Sequence, residues 1–516
     1  MQSTSIYDVA IVGFGPTGAV AAALLGQYGL KVFVCDSQSA VYDKPRAIAL
    51  DHEIMRVFQQ IGILEEIAPF IEPFTDSHFF GVEGQLIKIM STSLPPYPLG
   101  FPPSLVFTQP AIESALRRAV GKLTSVDVAL GTTLTKLTQN ENLVQLETID
   151  SASTKKRIQA NYLIACDGAS STVRKALDIA WTDLGFDQAW LVVDTLVNKK
   201  GLKKLPRVSF QMCEPARPST MVIGPGVHRR WEFAINAGED PAYLASPDGT
   251  WALLSRWLQP TDAKLWRQAS YRFHALVAER WRVGRVFLAG DAAHQQPPFL
   301  GQGMCQGIRD AANLAWKLSA VLLENAPKAI LASYETERKA HVSELTSRIK
   351  HIGELVGERD QDKARRRDQK LLSEHQGKVK PTPRQNVQPP LGIGLRSNME
   401  HPANGTLFPQ PWMVVKRKTH RMDNVLGRGW RLILKAEASD AIRLVANQAM
   451  SPQLAVMQLG TPPWIEADAI LSNWFKSTAC EAVLLRPDHY VFGVATTGSQ
   501  LSDALDQLKS MDDRNE

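Results

Sequence analysis

The sequence predicts an α/β fold in which a nucleotide-binding domain is interrupted by an inserted β-sheet and followed by a smaller C-terminal domain. Three separated segments predict it: GFGPTG at residues 13–18, CDGASSTVR at 166–174 and FLAGDAAH at 287–294. Each segment sits at the end of an apolar, strand-like run, and the three are read together as one site.

The first segment lies between the apolar run Tyr7–Val12 and the alanine-rich stretch Ala19–Leu25, a strand, glycine turn and helix in succession. Gly13 permits the tight turn, Gly15 lets backbone approach a pyrophosphate, and Gly18 lets helix and strand pack closely. The intervening Pro16 and Thr17 open a helix whose N-terminus faces the anion. A second strand, Lys31–Cys35, ends in Asp36, placing a carboxylate where such folds hydrogen-bond a ribose. The first domain is therefore expected to be Rossmann-like.

Residues 1–185 alternate short strands with helical patterns, as βαβ units do. Residues 186–275 are β-rich, with alternating runs at Val208–Met212 and Arg230–Ile235, and are expected to form an inserted sheet that floors a substrate pocket. The chain returns to the first domain over 276–360, with Arg285–Ala289 as a buried strand and Ile308–Leu323 as a helix. The basic, proline-rich stretch 361–400 reads as a linker, with Arg365-Arg366-Arg367 as a solvated face. Residues 401–516 read as a separate domain, with strands at Trp430–Leu434 and Leu454–Met457, a helix at Asp440–Gln448 and a final helix near Leu501–Ser510. No internal repeat is visible.

The chain has 516 residues, 44% hydrophobic and 21% charged, which is ordinary for a globular protein of several domains. Its net charge of +6 arises from 58 basic against 52 acidic residues, too small an excess to suggest nucleic-acid binding. The five cysteines are widely spaced with no CxxC, which argues against a disulfide framework, a thiol redox centre or a metal site. MQSTSIYDVA runs straight into the first strand without a leader pattern, and no run of about 18 apolar residues occurs, so a cytoplasmic protein without a membrane span is expected.

With these residues in place, the chain resembles the group A FAD-dependent aromatic hydroxylases of the p-hydroxybenzoate hydroxylase fold, and within them the 3-(3-hydroxyphenyl)propionate hydroxylases. The tail around Leu484-Leu485-Arg486-Pro487-Asp488 resembles the thioredoxin-like C-terminal domain of phenol hydroxylase relatives. The resemblance implies FAD as cofactor, NADH or NADPH and O2 as co-substrates, and a small aromatic substrate. One oxygen atom would be placed on a phenolic ring through a flavin C4a-hydroperoxide, a reaction of aromatic compound catabolism. NADH is slightly favoured, because no basic cluster suited to a 2′-phosphate follows Asp36.

Residue by residue, the resemblance assigns Gly13, Gly15 and Gly18 to the ADP cradle and Asp36 to the adenosine ribose. It places Arg46 near the flavin, Gln109 at the ribityl chain or pyrophosphate, and Asp167-Gly168 at both FAD and NAD(P)H. Gly290-Asp291 would bind the ribityl chain, and Pro298 with Gly301-Gln302-Gly303-Met304 would form the loop under the isoalloxazine. His294 is read as structural, and Cys305 as a packed small hydrophobe rather than a low-pKa thiol. Substrate contacts are expected from Pro297 and Phe299, with Arg217, Arg229 and Arg230 as candidate partners for a substrate carboxylate. No phenol-deprotonating base is assignable from sequence. The C-terminal domain, lacking CxxC, is expected to serve structure or homodimer formation. Alternatives are a same-fold flavin enzyme that epoxidises or oxidises a polyketide or other non-phenolic substrate, and a non-catalytic flavin-binding sensor.

Overall fold

The computed structural model describes residues 6–374, 376–451 and 453–512; the expected domain limits at residues 1 and 516 lie outside the described residues. The strand Tyr7–Val12 is central to a sheet in which Val32–Asp36 and Lys155–Ala165 flank it in parallel, with Val286–Leu288 parallel beyond the latter. Because both faces of this sheet are covered, the strands read as continuous apolar runs rather than alternating ones. Val9, Ala10 and Ile11 are wholly buried. The helix Pro16–Gln27 covers one face; Pro16 occupies its first turn, where a missing N–H costs nothing, and its alanines let it lie close to the helix Gly303–Leu323.

A nine-stranded sheet stands beside this domain. Its long strands Trp181–Val197 and Ala263–Ala278 run antiparallel, and His228–Ala234 pairs with the first of them. Sequence placed this sheet within 186–275, but it also recruits Ser77–Phe80 and Leu86–Ser91 from the N-terminal part of the chain and Pro381–Pro383 from far downstream. One face packs Leu191, Val193, Trp231 and Phe233 into a core of its own. The other packs Trp190, Ala234 and Phe299 beneath the helix Ala332–Gly357, which carries Leu345, Ile349 and Ile352 into the same cluster.

The 361–400 stretch does more than link. Its helix Gln361–Ser373 is capped by Asp360, which accepts from the Asp362 and Lys363 amides, and the buried Asp368 accepts from Val82 N at 2.7 Å. Within the arginine run the expectation of a solvated face holds for Arg365, but Arg367 donates to the carbonyls of Leu355 and Cys213. These contacts join strands that local sequence patterning cannot relate, which is why the stretch read as a linker.

The C-terminal domain is thioredoxin-like. Its four-stranded sheet runs in the order Leu454–Gln458, Trp430–Leu434, Ala482–Leu485, Val491–Ala495, the first two parallel and the rest antiparallel. Helices Asp440–Gln448 and Gly498–Asp512 cover one face and Ile470–Thr478 the other. It docks on the first domain through buried charge. Arg486 forks onto Glu337, which also holds Lys317, while Arg56 pairs with Asp423.

Candidate functional site

The glycine turn is enforced by contact. Gly13 has φ +99°, and a Cβ there would lie 2.2 Å from the Cys166 carbonyl oxygen. A Cβ on Gly18 would lie 2.0 Å from the Gly13 oxygen, so the helix can approach the strand only with glycine at this position. A Cβ on Gly15 would meet nothing within 4 Å; it borders open space at the helix N-terminus, where amide groups and the helix dipole favour an anion. Thr17 is wedged between Gly290 and Gly307, either of which would clash with it if it carried a Cβ.

A cleft of about 480 Å³ opens at this turn and gathers Gly13, Gly15, Asp36, Arg46, Asp167 and Gly168, six residues taken from three distant segments of sequence. The Asp36 carboxylate accepts from the Phe14 amide at 2.6 Å and the Gln38 amide at 2.7 Å, fixing it at the rim with lone pairs to spare. Gln109 is turned inward: its oxygen accepts from the Arg46 and Ala47 amides, so it shapes the loop that carries Arg46. Arg46 lies exposed at the cleft, over the Tyr42 ring. Arg117, which sequence gave no reason to single out, also lines the cleft and donates to the Phe14 carbonyl and to Glu113.

Two carboxylates in this region have acceptor capacity left unmet by the described residues. Asp167 caps the helix Thr172–Ala176 by accepting from Val173 N at 3.0 Å, but its other oxygen is buried without a partner among the described residues. Burial pushes its carboxyl up against the pull of the Ser171 hydroxyl. Asp291 accepts no hydrogen bond among the described residues. Solvent reaches its carboxylate, yet protein on the surrounding sides raises its pKa; His294 and Arg46 oppose the rise, and Asp310 adds to it. The turn that presents it is held from behind, where Asp310 accepts from Gly290 N and His294 and binds Arg338. His294 is stacked on Trp281 and committed to this structural network, as its sequence reading held.

The Pro297–Met304 loop follows. Gly301 N donates to Pro298 O at 2.7 Å, and Gly301, at φ +63°, leaves no room for a Cβ beside Ala49. Gln302 precedes the helix that begins Gly303-Met304, and its side-chain oxygen accepts from Arg309 Nη1 at 3.0 Å. Arg309 also binds Asp51 and Glu53, and Glu53 receives Tyr490 Oη of the C-terminal domain at 2.8 Å. Cys305 is buried with its thiol pushed up, the packed residue its reading anticipated. Phe299, expected to stack on substrate, is 6% exposed and edge-packed on Trp190 and Phe186; the adjacent Pro297 is buried too.

The three candidate arginines of the sheet are all engaged. Arg217 forks onto Glu239, and Arg229 donates to the carbonyls of Gly226 and His228. Arg230 is buried, bound to Asp194 at 2.7 and 3.0 Å, and donates to the carbonyls of Pro45 and Arg46. Two charged groups that sequence did not single out stand without such partners. Glu232 is 5% exposed and accepts no hydrogen bond among the described residues, and burial pushes its carboxyl up to about 7. Arg384 lies over Phe74, donates to Leu300 O at 2.9 Å and pairs with no carboxylate among the described residues; burial brings it down to about 10. Neither carries a local motif, so only the sheet register and the downstream segment could reveal them.

A glycine cradle at a helix N-terminus, a rim carboxylate and carboxylates with free acceptor capacity from the other two motifs fit a flavin dinucleotide. The FAD binding domain family matches residues 6–349, and the HcaD C-terminal domain family matches 405–511. The chain is 33% identical over 517 residues to the probable NADH-specific resorcinol 4-hydroxylase of Rhodococcus jostii (strain RHA1), covering 97% of this chain and 94% of that one. It is 30% identical to 3-(3-hydroxy-phenyl)propionate/3-hydroxycinnamic acid hydroxylase 2 of Burkholderia vietnamiensis (strain G4 / LMG 22486), covering 94% and 93%. The flavin-dependent monooxygenase PieE, solved with FAD and substrate, shares the fold with a TM-score of 0.82 at 20% identity, covering 98% of this chain and 99% of that one. The chain therefore belongs to the FAD-dependent aromatic hydroxylases. It is an oxidoreductase of the monooxygenase class, and FAD is its cofactor.

Proposed function

We propose that this hydroxylase acts on a small, uncharged phenolic ring of the resorcinol type, with NADH as the reductant. The observation that carries the substrate choice is the state of the sheet cations: Arg217, Arg229 and Arg230 are spent on Glu239, on backbone carbonyls and on Asp194. A neutral ring needs none of them. The Rhodococcus relative, named for resorcinol and NADH, supports both halves of the reading.

Bound FAD supplies the passage of electrons from the nicotinamide to O2 and the transfer of one oxygen atom to the ring. In this reading the protein's own residues bind, orient and exclude. The helix N-terminus beyond Gly15 would hold the pyrophosphate, Asp36 the ribose and Asp291 the ribityl hydroxyls. The amides at the N-terminus of the helix beginning at Gly303 would favour negative charge on the flavin ring when FAD is bound. The aromatic cluster of Trp190, Phe273 and Phe299 keeps one wall of the site dry.

A second reading, a carboxylated phenol such as 3-(3-hydroxyphenyl)propionate, is favoured by Arg384, a guanidinium brought down by burial and without a carboxylate partner among the described residues. The test is NADH and NADPH oxidation by the FAD-loaded protein with each compound, read together with product mass. Consumption stimulated by resorcinol, with a product one oxygen heavier, bears out the first reading. Stimulation by the propionate alone, lost in Arg384→Gln, bears out the second. The reading also places the enzyme in the cytoplasm, which five free cysteines and the lack of any helix long and apolar enough to cross a membrane among the described residues support.

A further inference from the structure

We infer that Glu232 is the group that accepts the substrate's phenolic hydroxyl and takes its proton. The inference rests on the phenol-hydroxylase reading above and names the base that the sequence could not.

Position comes first. Along the strand His228–Ala234, Trp231 and Phe233 point into the core on the far side of the sheet, so Arg230, Glu232 and Ala234 share the opposite face. On one side of Glu232, Arg230 reaches the carbonyls of Pro45 and Arg46, in the loop that borders the cofactor cleft. On the other side, Ala234 belongs to the cluster that contains Phe299 and Leu300 of the Pro297–Met304 loop. Across the sheet, Val222 stands opposite Arg230 and packs toward Ala49, the residue against which Gly301 closes. Glu232 is thereby bracketed on three sides by contacts to the two loops assigned to the flavin.

The state of its carboxyl comes second. No described residue donates to it, although it is 5% exposed. Its cross-strand neighbour Thr220 donates to Gln211 instead, and Arg230 is taken by Asp194. Its oxygens are not enclosed by protein but face the little solvent that reaches this side of the sheet, so water or an arriving ligand supplies their donor. A phenolic hydroxyl is a donor of the right kind. Burial has also raised the group to about 7, with Arg230 opposing and Asp194 adding to the rise, which suits a proton acceptor at ambient pH.

In the step assigned to it, the phenolic O–H bond breaks and the electron pair stays on oxygen. The proton passes to a carboxylate oxygen of Glu232 and leaves to solvent when product departs. The phenolate so formed enriches the ring carbons that receive oxygen.

The test uses the oxidised, FAD-loaded full chain with p-nitrophenol as a chromogenic probe, at about pH 7.5, above the raised value of the Glu232 carboxyl, and without NADH, so that no turnover occurs. Wild type is expected to bind the probe with an enhanced phenolate band, and Glu232→Gln to bind it as the neutral phenol with the phenolate fraction reduced at least ~10-fold. In the same variant kcat with the productive phenol should fall ~100-fold or more, with FAD content and unfolding midpoint unchanged. Glu232→Asp should restore part of the phenolate band, which a purely structural role would not do. An equal phenolate fraction in wild type and Glu232→Gln overturns the assignment while leaving the hydroxylase reading intact. Failure of wild type to bind p-nitrophenol, resorcinol or 3-(3-hydroxyphenyl)propionate overturns both.

Discussion

Two charged regions of this molecule are built in opposite ways. Where the C-terminal domain meets the first, the charges are closed on one another. Glu337 receives Arg486 and Lys317, Asp423 receives Arg56 and Arg431, and Asp488 receives Arg486. Around the candidate cofactor cleft and the sheet floor, Asp291, Glu232 and one oxygen of Asp167 accept no hydrogen bond among the described residues. Both regions contain carboxylates removed from bulk water, so burial alone does not separate structure from function. The supply of donors does: a closed network holds two domains together, whereas an open acceptor marks a place for something that arrives.

The comparison can be broken at its closed end first. Glu337→Ala strands Arg486 and Lys317 in the interior and should cost about 3–5 kcal/mol in denaturant-induced unfolding. A loss below 1 kcal/mol would mean that the network is not closed in solution. Asp291→Ala removes a carboxylate that no protein group relies on. The apoprotein's unfolding midpoint should therefore stay put while FAD affinity, read by fluorescence titration, weakens about 10- to 100-fold. Purification with full flavin would remove Asp291 from the site.

Acid provides a third probe. Burial pushes Glu337 and Asp423 up, but the guanidinium groups of Arg486 and Arg56 outweigh it and hold both carboxyls well below the usual range. Groups whose folded pKa is depressed contribute stability that is complete above the unfolded value, about 4, and is lost as pH falls toward the folded one. Docking of the C-terminal domain, followed by limited proteolysis, should therefore hold at pH 6 and weaken progressively as pH falls below about 4. The smallest effect belongs to Arg217→Ala. Its pair with Glu239 is partly exposed, so the change should cost at most about 1 kcal/mol and leave KM for resorcinol unaltered. A large KM increase would return Arg217 to the substrate site.

The three motifs were legible because each binds a local conformation to a residue type: a glycine where Cβ has no room, an acid at the end of a strand. Gly13, Gly18 and Gly290 are fixed by contacts to Cys166, to Gly13 and to Thr17, and their spacing announced those contacts. Gln109 was found by resemblance, and the structure gives it a different partner, the backbone of the Arg46 loop. Glu232 and Arg384 were not legible. A glutamate in an alternating strand looks like an ordinary solvent-facing residue until the sheet shows which face is covered, and Arg384 lies in a stretch whose composition signals a linker. The same holds for the charge network, in which Arg56 and Asp423 are 367 residues apart and Glu337 and Arg486 are 149 apart, with no pattern linking them.

One chain of contacts bears on how such proteins can be recombined. Tyr490 touches Glu53, Glu53 binds Arg309, and Arg309 holds the side chain of Gln302 at the head of the helix that follows the Pro297–Met304 loop. The C-terminal domain is therefore fastened by its own hairpin to the base of the Pro297–Met304 loop, which we propose lies at the flavin. Domain exchange among relatives would have to treat positions 53, 309 and 490 as a single inherited unit. A chimera that crosses over between residues 309 and 490 without matching them joins two sound halves and leaves the Pro297–Met304 loop without its anchor.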